Sequence, residues 1–262
     1  MKDKRPVSVY IITLNAERTL AACLESVRDF SEVVVVDSGS TDRTVEIAKA
    51  YGAKVVYQEW LGFARQKQFA LSMCQHDWVL NLDADEYVSD ELIKEIDIVV
   101  QHGDVVGLNI PIREIFLGKP NHPWTKMNRH IRFFKRELGG YADVEVHESI
   151  SVSGPVRDAN GVIFHDGLHS LSVMLEKNNR YSTLRAQEKF KKGKSASVLK
   201  LLLVFPVMFI KSYLIKRNFL NGVRGWIASL NNAFYAFMKE AKLYELKLNA
   251  KEDNHANFDD HQ

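Results

Sequence analysis

Four apolar runs, each four to six residues long, recur through the first third of the chain, separated by stretches with a helical period. Val7-Ser8-Val9-Tyr10-Ile11-Ile12 opens the series, followed by Val33-Val34-Val35-Val36, Lys54-Val55-Val56-Tyr57 and the run from Trp78 to Leu82. Continuous β-branched runs such as the second predict strands buried on both faces of a parallel sheet. The intervening segments predict helices over 17–28, 42–51 and 63–74, with another over 89–100. Such a βαβαβαβ order implies parallel strands joined by right-handed crossovers. Beyond this the texture changes to shorter strands at 107–110, 131–134, 147–152 and 162–164, separated by Gly, Pro and Asn. From about residue 170 the chain reads helical to an acidic tail. The pattern predicts an α/β domain over 1–170 and a helical region over 171–262, with no internal repeat.

Composition changes this picture in two places. Cys23 and Cys74 lie in apolar helical patterns without metal-ligand spacing, as expected of buried thiols in a reducing cytosol. The N-terminal Met1-Lys2-Asp3-Lys4-Arg5-Pro6 lacks the apolar core of a signal peptide. The net charge of +2 conceals an asymmetry: residues 1–110 hold 11 Lys/Arg against 18 Asp/Glu, whereas residues 174–218 hold 11 against 2. Blocks of one sign report on partners rather than on fold. The acidic half suits a metal-nucleotide site, and the basic block suits an anionic surface.

Candidate chemistry gathers where the strands end. Asp83-Ala84-Asp85-Glu86 directly follows the fourth apolar run. Ligands of open α/β sheets bind at the carboxyl ends of the strands. Carboxylates crowded there repel one another. A divalent cation relieves the repulsion, and hard oxygen ligands suit Mg²⁺ or Mn²⁺, which bring substrate phosphates with them. The same segment also reads as a turn into a helix whose positive N-terminus attracts Asp and Glu. The second run ends in Asp37-Ser38-Gly39-Ser40-Thr41-Asp42, a tight turn in which Thr41 or Asp42 can cap the next helix. Asp37 is then an acceptor for a base N–H or a ribose hydroxyl. The first run ends in Thr13-Leu14-Asn15, so three polar strand ends converge on one crevice. No Gly-rich phosphate loop occurs. A nucleotide would be gripped by its base and ribose, with its diphosphate held through the metal. A sugar-nucleotide enzyme, whose diphosphate leaving group needs neutralising, makes that demand.

These residues resemble the signature of family 2 glycosyltransferases. The resemblance continues through Arg132-Phe133-Phe134-Lys135-Arg136, Val146-His147-Glu148, Gly154 and His165. It extends to Lys177-x-x-Arg180-Tyr181-Ser182 and Phe219-Leu220-Asn221-Gly222, and looks most like the branch containing the lipopolysaccharide inner-core β-glucosyltransferases. It implies a GT-A-type fold, a mostly parallel sheet flanked by helices, with residues 1–100 as the nucleotide-binding half and 101–170 as the acceptor half. It implies inverting transfer from a nucleotide-diphosphate sugar, UDP-glucose first, to a glycolipid hydroxyl in the heptose region of a lipopolysaccharide core. Carried over by position, Asp37 binds the base, Thr13 and Asn15 line its pocket, Asp83 holds ribose or metal and Asp85 holds Mg²⁺ or Mn²⁺. Lys67, in Arg65-Gln66-Lys67-Gln68, sits where relatives carry a basic residue followed by Asn; an exposed helix lysine is the other reading. Glu148 is the candidate general base that takes the proton of the acceptor hydroxyl, with Asp143 or Glu145 as alternatives and His147 orienting it. His165 stands where a late histidine joins the metal or diphosphate, or is a structural histidine.

The C-terminal region adds a surface. Residues 199–215 are strongly apolar, but Lys200, Pro206 and Lys211 interrupt them and they fall short of the ~20 apolar residues of a spanning helix. Cationic flanks, with Trp226, Phe234, Tyr235 and Phe237 further on, suit a helix lying in the headgroup layer of an anionic membrane. That places the protein peripherally, on the inner face of a bacterial cytoplasmic membrane. No nucleic-acid motif accompanies the charge. Two other function classes fit less of the pattern. A metal-dependent nucleotidyltransferase would carry a Gly-rich or Arg/Lys-rich triphosphate grip near the first strand, where Thr13-Leu14-Asn15-Ala16-Glu17 offers none. A non-catalytic membrane-surface scaffold would not need Asp83, Asp85 and Glu148 together.

Overall fold

A computed structural model describes residues 4–141, 150–168, 170–194 and 197–259. The chain runs β1 (Arg5–Thr13), α1 (Leu20–Ser26), β2 (Phe30–Asp37), α2 (Thr44–Ala50), β3 (Lys54–Tyr57), α3 (Phe63–Ser72), β4 (Trp78–Asp83), β5 (Glu86–Val88) and α4 (Asp90–His102). It continues with β6 (Gly107–Phe116), β7 (Lys119–Pro120), β8 (Asn128–Lys135), β9 (Gly139–Tyr141), β10 (Ile150–Val152), β11 (Val156–Asp158) and β12 (Ile163–Leu168). The helices α5 (Leu171–Lys191), α6 (Val198–Ile210) and α7 (Val223–Asp259) complete it. Two compact units result: residues 1–115 with 127–167, and residues 116–126 with 168–262.

The first unit is built on a sheet of order β3-β2-β1-β4-β8-β6-β12-β5. The expected parallel block β3-β2-β1-β4 is present, and β8 enters antiparallel between β4 and β6. The last seven residues of β1 are all buried, because helices cover both faces of this central strand. On one face Val9, Ile11, Leu80 and Leu82 pack with Leu20 and Leu24 of α1 and with Leu92, Ile96 and Val99 of α4. On the other, Tyr10, Ile12, Val34 and Val36 pack with Ala70 and Leu71 of α3 and with Phe134. Each fully buried aliphatic or aromatic side chain contributes about 1.5–3 kcal/mol. Helix α4 shows how locally the sequence acts. The Ser89 side chain accepts from Leu92 N, Asp90 and Glu91 lie in the first turn, and Gly103 closes the helix at φ +65°.

Two elements differ from the sequence expectation. Helix α1 starts late because Asn15 adopts a left-handed φ of 52° and the backbone N–H of Ala16 donates to Thr44 Oγ1 at 2.7 Å, drawing residues 15–17 against the turn after β2. Strand β6 extends well past Pro111, which pairs with Arg129 across the ladder although it has no N–H to donate.

The second unit gathers three helices and the 116–126 segment. Lys242 Nζ bonds Asn179, Ser182 and Thr183 of α5, and the buried Glu240 of α7 pairs with Lys189 and Lys200. Asn221 Oδ1 accepts from the His122 N–H at 2.6 Å, its Nδ2 donates to Thr125 Oγ1 at 3.1 Å, and Lys216 O accepts from Lys126 N at 3.0 Å. Helix α6 does not stop at Pro206; it continues as a π-helical turn over Lys211–Ile215. Residues 198–215 therefore form 18 helical residues of mean hydropathy 2.0, only 6% buried. By length and composition alone this helix is long and apolar enough to cross a membrane, which corrects the expectation that its interruptions leave it too short.

Cys23 and Cys74 are both buried, as the sequence predicts. Burial pushes the Cys74 thiol up to about 12 and holds the Cys23 thiol well above its ordinary value. Neither should react with iodoacetamide at about pH 8 in the native protein, and both should react in guanidinium chloride; mass spectrometry of the alkylated protein reads the difference.

Candidate active site

The parallel register sets the site. Thr13 lies opposite Asp37, and Ile12 lies opposite Asp83. The ends of β2, β1 and β4 thus form one edge, with Asp37 and Asp83 on either side of β1, roughly 10 Å apart at the spacing of adjacent strands.

At the β1–β2 end the two loops hold each other. The Asp37 carboxylate accepts from the backbone N–H groups of Gly39 (2.9 Å) and Ser40 (2.8 Å) through Oδ2, and from the Ser40 hydroxyl through Oδ1. Gly39 sits at φ +101°, where a side chain would be strained. Asn15 locks the loops together: its N–H donates to Ser40 Oγ at 2.8 Å and its Oδ1 accepts from Thr41 N at 2.8 Å. Asp37 is thus first the organiser of its own turn, yet Oδ1 keeps a lone pair for a further donor. Beside it the buried Thr13 Oγ1 has no hydrogen-bond partner among the described residues. Unsatisfied polar atoms of this kind in a native fold call for an explanation, and a ligand is one.

At the β4 end lies a buried ionic cluster. Lys67 of α3, itself buried, places Nζ 2.7 Å from Asp83 Oδ1. Arg132 of β8 reaches Asp83 Oδ2 at 3.3 Å and Glu86 Oε1 at 3.0 Å, and also donates to Asn81 Oδ1. Glu86 Oε2 in turn accepts the Asp83 N–H at 2.8 Å, closing the turn between β4 and β5. Burial disfavours the charge on Asp83, but Arg132 and Lys67 prevail and hold its carboxyl well below the usual carboxylate range. Burial pushes the Glu86 carboxyl up to about 7, and the neighbouring Asp83 charge adds to the rise while Arg132 resists it.

Asp85 stands apart from that cluster. The antiparallel pairing of β12 with β5 sets His165 opposite Glu86, and the Asp166 N–H bonds the Asp85 carbonyl at 2.8 Å. His165 Nε2 is thereby 3.3 Å from Asp85 Oδ2, while Nδ1 is 2.8 Å from Glu114 Oε2 on β6. Burial opposes a charged imidazole here, yet the hydrogen bonds to Asp85 and Glu114 raise it to about 11. A proton thus supplies the positive charge between donors that suit a divalent cation. A metal would compete for that position by displacing the proton, with Glu114 orienting the imidazole from behind. Gly167 makes the approach possible: a Cβ there would come within 2.6 Å of His165 Nε2 and 3.0 Å of Asp85 Oδ2. Among the described residues no group of three or more His, Cys, Asp or Glu side chains could hold a metal alone. Asp85 and His165 would supply a divalent cation with a carboxylate oxygen and, once deprotonated, an imidazole nitrogen.

Of the residues singled out in the sequence, Thr13, Asn15, Asp37, Lys67, Asp83, Asp85 and His165 all lie at or beside this edge. Glu148 and its neighbours Asp143, Glu145 and His147 lie outside the described residues. Sequence reasoning gave no role to Arg132, Glu86, Glu114 or Gly167. Two of them carried a signal, Glu86 as the fourth member of the acidic run and Arg132 as the first residue of Arg132-Phe133-Phe134-Lys135-Arg136.

Comparison with known proteins bears on the family of the chain. The model of the family described as glycosyl transferase family 2 matches residues 8–150. An uncharacterised glycosyltransferase of Rickettsia typhi is 35% identical, covering 97% of this chain and 93% of its own. The lipopolysaccharide core biosynthesis glycosyltransferase LpsC of Rhizobium meliloti is 34% identical, covering 94% of each. Among solved structures, S. aureus TarS 1–349 in complex with UDP-GlcNAc aligns with a TM-score of 0.46 at 16% identity, covering 88% of this chain and 81% of that one.

Asp83 and Asp85 are both half-buried and differ in their partners, two cations for the first and His165 for the second. Arg132→Met leaves the buried Glu86 and the half-buried Asp83 without their guanidinium and should cost about 3–5 kcal/mol in urea unfolding. Asp85→Asn removes one of the two carboxylates that keep His165 protonated and should bring the imidazole pKa down from about 11, which an NMR titration of the histidine reads.

Proposed function

Because the chain belongs to glycosyltransferase family 2, we propose that it transfers a hexose from a nucleotide-diphosphate donor, UDP-glucose first, to a hydroxyl of a lipopolysaccharide-core glycolipid, with inversion. The reading rests on one observation above all: Thr13, Asp37, Asp83 and Asp85 share a single sheet edge. The acceptor class is supported by the similarity to LpsC over nearly the whole chain. The choice of glucose rests on the motif resemblance.

In this reading Asp37 Oδ1 accepts from the base and the Thr13 hydroxyl bonds it from the neighbouring strand, while Asn15 keeps the loop in shape. Asp83, fixed by Lys67 and Arg132, receives ribose or sugar hydroxyls. Its ionised state suits it to accept hydrogen bonds only. Asp85 and His165 would hold Mg²⁺ or Mn²⁺, which when bound neutralises the charge developing on the diphosphate leaving group. Glu148 accepts the acceptor proton as the hydroxyl oxygen attacks the anomeric carbon and the bond to the diphosphate breaks.

The second unit supports an extension of the proposal, that the enzyme works on the cytoplasmic face of an anionic membrane. Leu202 and Leu199 of α6 are among the most exposed large apolar side chains, and Lys189, Lys191, Lys192 and Lys194 precede them. Each cation near an anionic leaflet contributes on the order of 1 kcal/mol.

UDP with Mn²⁺ should raise the melting temperature, by the equivalent of about 2.7 kcal/mol at a hundred times the dissociation constant. Asp85→Ala should lose the metal-dependent part of that shift. Glu148→Gln should keep it while transfer falls by about 100-fold or more. A larger shift with ATP or CTP would favour the nucleotidyltransferase reading. For the membrane, Leu202→Glu with Val207→Glu should release the protein from phosphatidylglycerol vesicles in a sedimentation assay. Undiminished co-sedimentation would refute that part of the proposal.

A further inference from the structure

Beside the ionic cluster lies a cavity of about 350 Å³, within the range of small-molecule sites. Asp83 and Lys67 stand at the part it shares with the donor crevice. Asn81 lines it two residues deeper on the same face of β4, followed by Asn109 of β6 and Arg129 of β8. The sequence reading assigned none of these deeper residues a role.

The charge of the lining is lopsided. Among the described residues of the lining, Lys67, Arg129 and Arg132 face one carboxylate, Asp83. Two of the three cations are engaged with that carboxylate, at 2.7 and 3.3 Å. Arg129 is held differently. Its Nη1 donates to the backbone oxygens of Ala159 (2.8 Å) and Asn109 (3.2 Å), and its Nε is 4.0 Å from the largely exposed Asp158. Carbonyl oxygens fix a guanidinium in place without cancelling its charge. The Arg132 Nε is a buried donor with no hydrogen-bond partner among the described residues. His130, also in the lining, responds to the same field: burial lowers its pKa, and the Arg132 and Lys67 charges lower it further. A polar, cationic hollow with an unmet donor is a poor site for a neutral apolar group and a good one for an anion with several acceptor oxygens.

We propose that this cavity receives an anionic substituent, a carboxylate or a phosphate, borne by one of the two sugars in the transfer. The proposal rests on the donor reading given above for the adjoining edge. Arg129 is its specificity-determining residue, because it is the cation of the lining that Asp83 does not engage.

Calorimetry on the full-length protein tests it and separates the two possible bearers. If the donor sugar carries the anion, UDP-glucuronate binds at least about tenfold tighter than UDP-glucose. If the acceptor carries it, inorganic phosphate binds to protein already saturated with UDP and Mn²⁺. In either case Arg129→Gln weakens that anion by about tenfold while UDP affinity stays within about twofold, which also shows that the variant is folded. Arg129→Lys restores most of the loss. The proposal is overturned if neither anion is preferred, if Arg129→Gln leaves the preference intact, or if UDP simply displaces the phosphate. Should UDP fail to bind at all, the donor reading falls, and phosphate titrated into free wild-type and Arg129→Gln protein still decides the cavity.

Discussion

A buried guanidinium holds the acidic edge of this protein together. Arg132 touches Asn81, Asp83 and Glu86, three acceptors that the turn between β4 and β5 crowds into one place. Without it the sheet would end in carboxylates facing each other in a low-dielectric interior, and the turn would open or take up protons. Charges withdrawn from water are retained only when paired and hydrogen-bonded. Arg132 enters from β8, an antiparallel strand inserted beside the parallel block, so the second half of the sheet completes what the first half began.

That division of labour leaves the neighbouring carboxylates with unlike environments. Asp83 is pinned between two cations and stays ionised. Asp85, two residues on, meets His165 of β12, the antiparallel neighbour of β5. One short acidic run therefore supplies a carboxylate fixed between two cations and a second one whose counter-charge is a histidine proton. The missing side chain of Gly167 lets His165 and that carboxylate meet.

Much of this was legible in the sequence because it depends on local period and local chemistry. The parallel block follows from its β-branched runs, and the turn after β2 from Asp37, Gly39 and the serines around them. The ionic cluster and the basic cavity were not legible. Lys67, Arg132 and Arg129 come from α3 and β8, and only the sheet order brings them to Asp83. The extension of β6 was hidden by Pro111, whose missing N–H looked like an end, although a strand can continue where its ladder tolerates the loss. The length of the apolar helix was hidden in the same way, since Pro206 and a π-helical turn are absorbed without ending it.

The hydrogen bonds of Asn221 carry a consequence for the segment between β6 and β8. Residues 116–126 leave the sheet at the end of β6 and re-enter it at β8, and on the way they are fastened by Asn221 and by the Lys216 carbonyl. The strand on one side of this excursion carries Glu114, the partner of His165; the strand on the other carries Arg132. Truncation ahead of Lys216 would leave residues 116–126, the covalent connector between the strand that carries Glu114 and the strand that carries Arg132, without the bonds that fasten them.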